Sequence, residues 1–104
     1  MNMKNVILSA DNELCIYSVP GIVADNLRQY AIEFADNWLV NSPHAKMYRE
    51  NGVLCYGEAD FIEYLNTWAF PHADCRLVKR LDDIWTLDDA DFPDEYKNLE
   101  YFNF

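Results

Sequence analysis

Glycine is scarce in this chain: Gly21, Gly52 and Gly57 are the only three in 104 residues. A phosphate-cradling loop needs several glycines close together, so nucleotide binding of that type is excluded. Soft ligands are equally thin. Cys15, Cys55 and Cys75 are an odd number at wide spacing, which provides no disulfide framework and suits a reduced, cytosolic protein. His72-x-x-Cys75 has the spacing of half a zinc site, with His44 and Cys55 as the other soft ligands. A tetrahedral zinc centre normally shows two such pairs, so no metal cofactor is expected.

Catalytic patterns are also missing. A nucleophilic Cys or Ser needs a positioned His, and the two histidines, His44 and His72, sit beside Pro43 and Pro71 in loop-like stretches. Adjacent carboxylates such as Asp82 and Asp83 would face opposite ways on a strand and could not share a proton. Calcium loops require a central Gly and a fixed spacing that "DDADFPDEYKNLE" lacks, leaving at most a weak cation site among Asp88, Asp89 and Asp91. A non-enzymatic protein is expected. The N-terminus MNMKNVILSADNE has neither a long apolar run nor a small-residue cleavage site, and no stretch approaches the roughly 18 apolar residues that span a bilayer.

Apolar residues, by contrast, are plentiful. They make up 51% of the chain, with 15% aromatic, enough for one packed domain over residues 1–104. "NVILSADNELCIYSVP" reads as two strands, about 5–9 and 13–18, joined at Asp11-Asn12. Val23, Leu27, Tyr30, Ala31, Phe34, Ala35 and Trp38 then recur at spacings of three and four, predicting one amphipathic helix over about 21–40, begun by Ser18 and Pro20.

Asn51-Gly52 signals a turn, and Val53–Tyr56 suits a buried strand. Phe61, Ile62, Leu65 and Trp68 predict a second helix over about 58–69, with Glu58 and Asp60 in its first turn, where the helix dipole favours acids. A strand near 75–80 follows, with a short helix near 93–99 and an extended terminus beyond it. The order β-β-α-β-α-β indicates an α+β fold, a mainly antiparallel sheet with helices on one face.

Charge is the remaining signal. Eighteen acids against eight Lys and Arg give a net −10. Residues 1–80 hold ten acids and seven bases, whereas residues 81–104 hold eight acids against Lys97 alone. Such a field repels nucleic acid and anionic membranes and attracts basic partners. Arg76, Lys79 and Arg80, followed at once by Asp82 and Asp83, are expected to pair with the acidic extension and help dock it.

A solvated tail would not carry so many aromatics, so residues 81–104 are expected to fold against the body. The sequence assigns partner binding to Asp82, Asp83, Asp88, Asp89, Asp91, Asp94 and Glu95, with Trp85, Phe92 and Tyr96 as apolar anchors. In small size, acidity and absence of catalytic residues, the whole chain resembles phage- or plasmid-encoded inhibitors of host defence nucleases, anti-restriction and anti-CRISPR proteins among them. The likeness lies in bulk properties and in no motif. It implies an acidic nucleic-acid mimic that blocks a basic nucleic-acid-handling enzyme. The competing expectation is a structural or regulatory module that forms a homodimer through its aromatic C-terminal segment.

Overall fold

Two uninterrupted apolar runs, Val6-Ile7-Leu8 and Leu14-Cys15-Ile16-Tyr17, build the centre of the molecule. The computed structural model describes residues 2–10, 13–52 and 56–104, with the side chains of 47 and 50–52 set aside. The joint Asp11-Asn12, Cys55 and most of the strand expected at Val53–Tyr56 thus lie outside the described residues. Strands β1 (Met3–Ala10) and β2 (Glu13–Pro20) pair antiparallel from Met3↔Pro20 to Ala10↔Glu13. Strand β3 (Arg76–Leu81) joins β2 antiparallel, and β4 (Tyr101–Asn103) joins β1 in parallel, giving the order β3-β2-β1-β4. The result is an α+β fold on a mixed, mainly antiparallel sheet.

Because side chains alternate along a strand, the hairpin serves two cores. Val6, Leu8, Cys15, Tyr17 and Val19 point toward the helices, while Ile7, Leu14 and Ile16 point to the opposite face with Leu81. Both sets are buried. A sheet covered on both sides is therefore required.

The helical layer is less regular than one continuous stripe predicts. Helix α1 (Gly21–Asp25) stops at Asn26, whose side-chain amide donates to the Ile22 carbonyl at 2.9 Å, and α2 (Leu27–Ile32) restarts at once. An Asn side chain that binds a nearby carbonyl competes with the helical ladder. From Glu33 to Trp38 the turns widen to π-helical geometry before α3 (Leu39–Asn41), and a 3₁₀ stretch, Pro43–Gly52, follows. The wider turn rotates Trp38 toward Tyr64, Tyr48 and Trp68, at ring separations of 5.0, 6.2 and 6.3 Å. Ser18 does not begin the helix as expected, whereas Pro20 is the N-cap residue of α1, without a side-chain cap bond. They close β2, and the first helical amide, that of Gly21, is satisfied by the Asn2 carbonyl at 2.7 Å.

Helix α4 (Glu58–Tyr64) continues as a π-helical stretch, Leu65–Ala69, within the range read from sequence. Its start is held by the Asp60 carboxylate, which accepts from the Gly57 amide at 2.8 Å. Phe34 lies at the centre of this layer, fully buried, with rings of Phe61, Tyr64 and Phe104 at 5.5, 5.2 and 6.3 Å. Phe104 reaches this core because β4 alternates. Phe102 and Phe104 face the helices, while Tyr101 and Asn103 meet Ser9 on the other side. Ser9 Oγ donates to Asn103 Oδ1 at 2.7 Å, so it accepts from the Tyr101 hydroxyl at 2.9 Å, a hydroxyl having one proton to give.

The opposite face is covered by the chain between β3 and β4. These strands occupy the two edges of the sheet, so residues 82–100 must cross its full width. Phe92 and Tyr96, with Ile84 and Leu99, pack on Ile7, Leu14, Ile16 and Leu81 along that path. Asp94–Tyr96 forms a 3₁₀ turn where a short helix was expected. No helix among the described residues is long and apolar enough to cross a membrane.

Candidate functional site: the anionic strap

Turning Ile84, Phe92, Tyr96 and Leu99 inward leaves the polar residues of this strap on the outside. Asp82, Asp83, Asp88, Asp91, Asp94, Glu95 and Glu100 are exposed, and Asp89 is half-buried. The Asp89 carboxylate accepts from the Asp91 amide at 2.8 Å and so shapes the local turn. Asp94 pairs with Lys97, whose ammonium holds the carboxyl below its usual range. Among the described residues this is the one ion pair on the strap. The other exposed carboxylates form no ion pair among the described residues.

The three expected aromatic anchors separate. Phe92 and Tyr96 are buried beneath the strap, while Trp85 is 67% exposed. Leu87, two residues on, and Tyr101 in β4 are also partly exposed. Phe102 and Phe104 are engaged with the helical core, so the C-terminal aromatics are largely used within the protomer. Of the three anchors, Trp85 alone stays exposed.

Docking by ion pairs from β3 is overturned. Arg76 pairs with its own neighbour Asp74, and Arg80 lies beside Cys15 and Glu13 on the helical side. No ion pair among the described residues joins β3 to the strap. Apolar contacts hold the strap, which follows from magnitudes: an exposed ion pair contributes about 0–1 kcal/mol, whereas burying one large apolar side chain contributes about 1.5–3 kcal/mol. Asp82 and Asp83 are not on a strand. They form the turn after Leu81, with Asp83 at φ 65°, a left-handed conformation that Asp tolerates.

A second cluster was not legible in the sequence. Carboxylate oxygens of Glu13 and Glu58 and the Cys15 sulfur lie within 4.8 Å of one another. Neither histidine nor Cys75 joins them; His44 stacks on Trp68 at 4.1 Å, and the Cys75 backbone is clasped by the Asn66 side chain at 2.8 and 2.6 Å. The Arg80 guanidinium beside Cys15 supplies the cluster with a cation of its own, and burial raises the Cys15 thiol despite it. Burial thus favours the protonated thiol, the less nucleophilic form.

Burial also pushes Tyr17 up to about 12, with nearby negative charge adding to the effect. A raised folded-state pKa means that stability is complete below the unfolded value near 10 and declines as pH rises toward 12. Unfolding midpoints in urea should therefore drop between about pH 10 and 12, and Tyr17→Phe should flatten that drop. An unchanged alkaline profile in Tyr17→Phe would assign the loss to other groups.

Comparison with protein-family models, with curated proteins and with solved structures finds no match to this chain. The fold and this surface therefore stand on their own as the basis for a functional reading.

Proposed function

We propose that the protein is an acidic inhibitor that binds another protein, using the outer face of the strap as a nucleic-acid mimic against a basic, nucleic-acid-handling enzyme. The observation that carries this reading is the division of the strap. Its apolar side chains are turned into the sheet, and seven of its eight carboxylates are exposed on one continuous segment. Opposite fields accelerate encounter, and a surface of carboxylates offers an Arg/Lys channel the charge it normally receives from phosphates. The bulk likeness to anti-restriction and anti-CRISPR inhibitors directs the search for that partner to defence nucleases.

The test compares the wild type with a variant carrying Asp82→Asn, Asp83→Asn, Asp88→Asn, Asp91→Asn and Glu95→Gln. Both are immobilised, loaded with host lysate at low salt and eluted by a salt gradient. A nucleic-acid-binding protein should elute from the wild type with salt, be displaced by duplex DNA and be retained at least about tenfold less by the variant. Stability should change by no more than about 0.5 kcal/mol per site, since these carboxylates are exposed and form no ion pair within the described residues. Equal retention by the neutralised variant would show that the strap's charge is only solubilising.

A further inference from the structure

At the end of β3 the chain makes a concavity of about 360 Å³, whose lining includes Glu13, Arg80, Asp82, Asp83, Ile84 and Trp85. That volume lies within the range of small-molecule binding sites, roughly 300–1,000 Å³. Three carboxylates and one guanidinium give the lining an excess of negative charge. Arg80 lies opposite Cys15 across the strands and forms no ion pair with Asp82 or Asp83, so one guanidinium faces three carboxylates. Asp82 and Asp83 form no ion pair among the described residues. Beside them stands Trp85, an indole 67% exposed where large aromatics are normally covered.

An indole face next to two unpaired carboxylates suits one kind of occupant. A cation over the ring is attracted by its quadrupole, and a planar guanidinium stacks on it while donating paired N–H groups to a carboxylate. A lysine ammonium can do the first of these but lacks the planar fork. Phosphate, nucleotide and acidic peptide are repelled by the same carboxylates. We infer that this concavity is a seat for an arginine side chain of the partner protein, with Trp85 stacking on the guanidinium and Asp82 and Asp83 accepting its hydrogen bonds. The inference rests on the mimic reading and adds to it a single anchoring point, in accord with the concentration of interface energy at buried aromatic and arginine pairs.

The probe is the peptide acetyl-Gly-Arg-Gly-amide, titrated into the full-length ¹⁵N-labelled protein while the Trp85 indole N–H signal is followed, that signal being assigned by its loss in Trp85→Phe. Matched peptides with lysine, or with the neutral isostere citrulline, replace arginine in parallel. Arginine peptide should move the Trp85 signal in a saturable way, lysine peptide should bind at least about threefold more weakly, and citrulline peptide should leave the signal in place. Asp82→Asn combined with Asp83→Asn should weaken arginine-peptide binding about tenfold. An unmoved Trp85 signal, or an equal response to citrulline or lysine, overturns the assignment.

Spectra of the double variant that retain the wild-type dispersion elsewhere exclude misfolding as the cause. The two readings also fail separately. Salt-dependent capture of a basic protein with no arginine response at Trp85 removes the seat and leaves the mimic, whereas an arginine response with no basic protein captured does the reverse.

Discussion

Phe34→Ala should destabilise the protein by about 3–5 kcal/mol, the range for removing a large ring from a well-packed core. Phe34 is fully buried, and its ring meets Trp38, Tyr56, Phe61, Tyr64 and Phe104 at centroid separations between 5.2 and 6.3 Å. Those partners come from the first helical run, the approach to α4, α4 itself and the chain terminus. Truncation therefore opens a void that no single element can close by shifting. Against a total stability of about 5–15 kcal/mol, that loss would leave the variant marginal. Urea denaturation followed by circular dichroism measures it directly, and a loss under about 1.5 kcal/mol would show that the aromatic cluster repacks freely.

Ending the chain at Asp91 should abolish cooperative folding, an effect far larger than any obtained by neutralising the strap's acids. Phe92, Tyr96 and Leu99 are removed, which uncovers Ile7, Leu14, Ile16 and Leu81 together. Strand β4 goes as well, so the Ile7 amide loses the Glu100 carbonyl at 2.8 Å and the Ser9 carbonyl loses the Phe104 amide at 2.8 Å. The helical core loses Phe102 and Phe104 in the same step. The truncated chain should bind a hydrophobic dye and melt without a sharp transition. Phe92→Ala is the milder companion, expected to cost about 3 kcal/mol while leaving the fold intact. A cooperative melt for residues 1–91 would mean that the strap is an accessory and the sheet stands with one face open.

Taken together, these outcomes separate two roles carried by one segment. Its apolar residues belong to stability, and its carboxylates belong to the surface. Deleting the first should unfold the protein, while neutralising the second should leave a cooperative melt, shifted by at most about 0.5 kcal/mol per site, and alter chiefly what the protein binds. That contrast is possible because inward and outward residues are interspersed along a segment of turns, so each set can be changed without the other.

Local patterning determined a good part of this architecture. Two short apolar runs, rich in β-branched and aromatic residues and joined at Asp11-Asn12, were enough for the β1–β2 hairpin over about 5–9 and 13–18. Spacings of three and four were enough to place helical chain over most of 21–41 and 58–69. The aromatics of 81–104 were enough to show that an acidic extension would fold back, because a solvated tail has no use for them.

What the tertiary structure decided was direction and partnership. Nothing in "DDADFPDEYKN" distinguishes Phe92 and Tyr96, which enter the core, from Trp85 a few residues earlier, which does not. The choice depends on where the strap crosses Ile7, Leu14 and Ile16. The break at Asn26 is local, its side-chain amide binding the Ile22 carbonyl, whereas the widened turns from Glu33 onward carry Trp38 to Tyr64 and Trp68, contacts that are remote in sequence. Arg80 turned to Cys15 and Glu13, not to Asp82 and Asp83, because the cross-strand register of β2 and β3 places Cys15 opposite it. Periodicity reports which residues share a face of one element, and it carries no information on which face another element will cover.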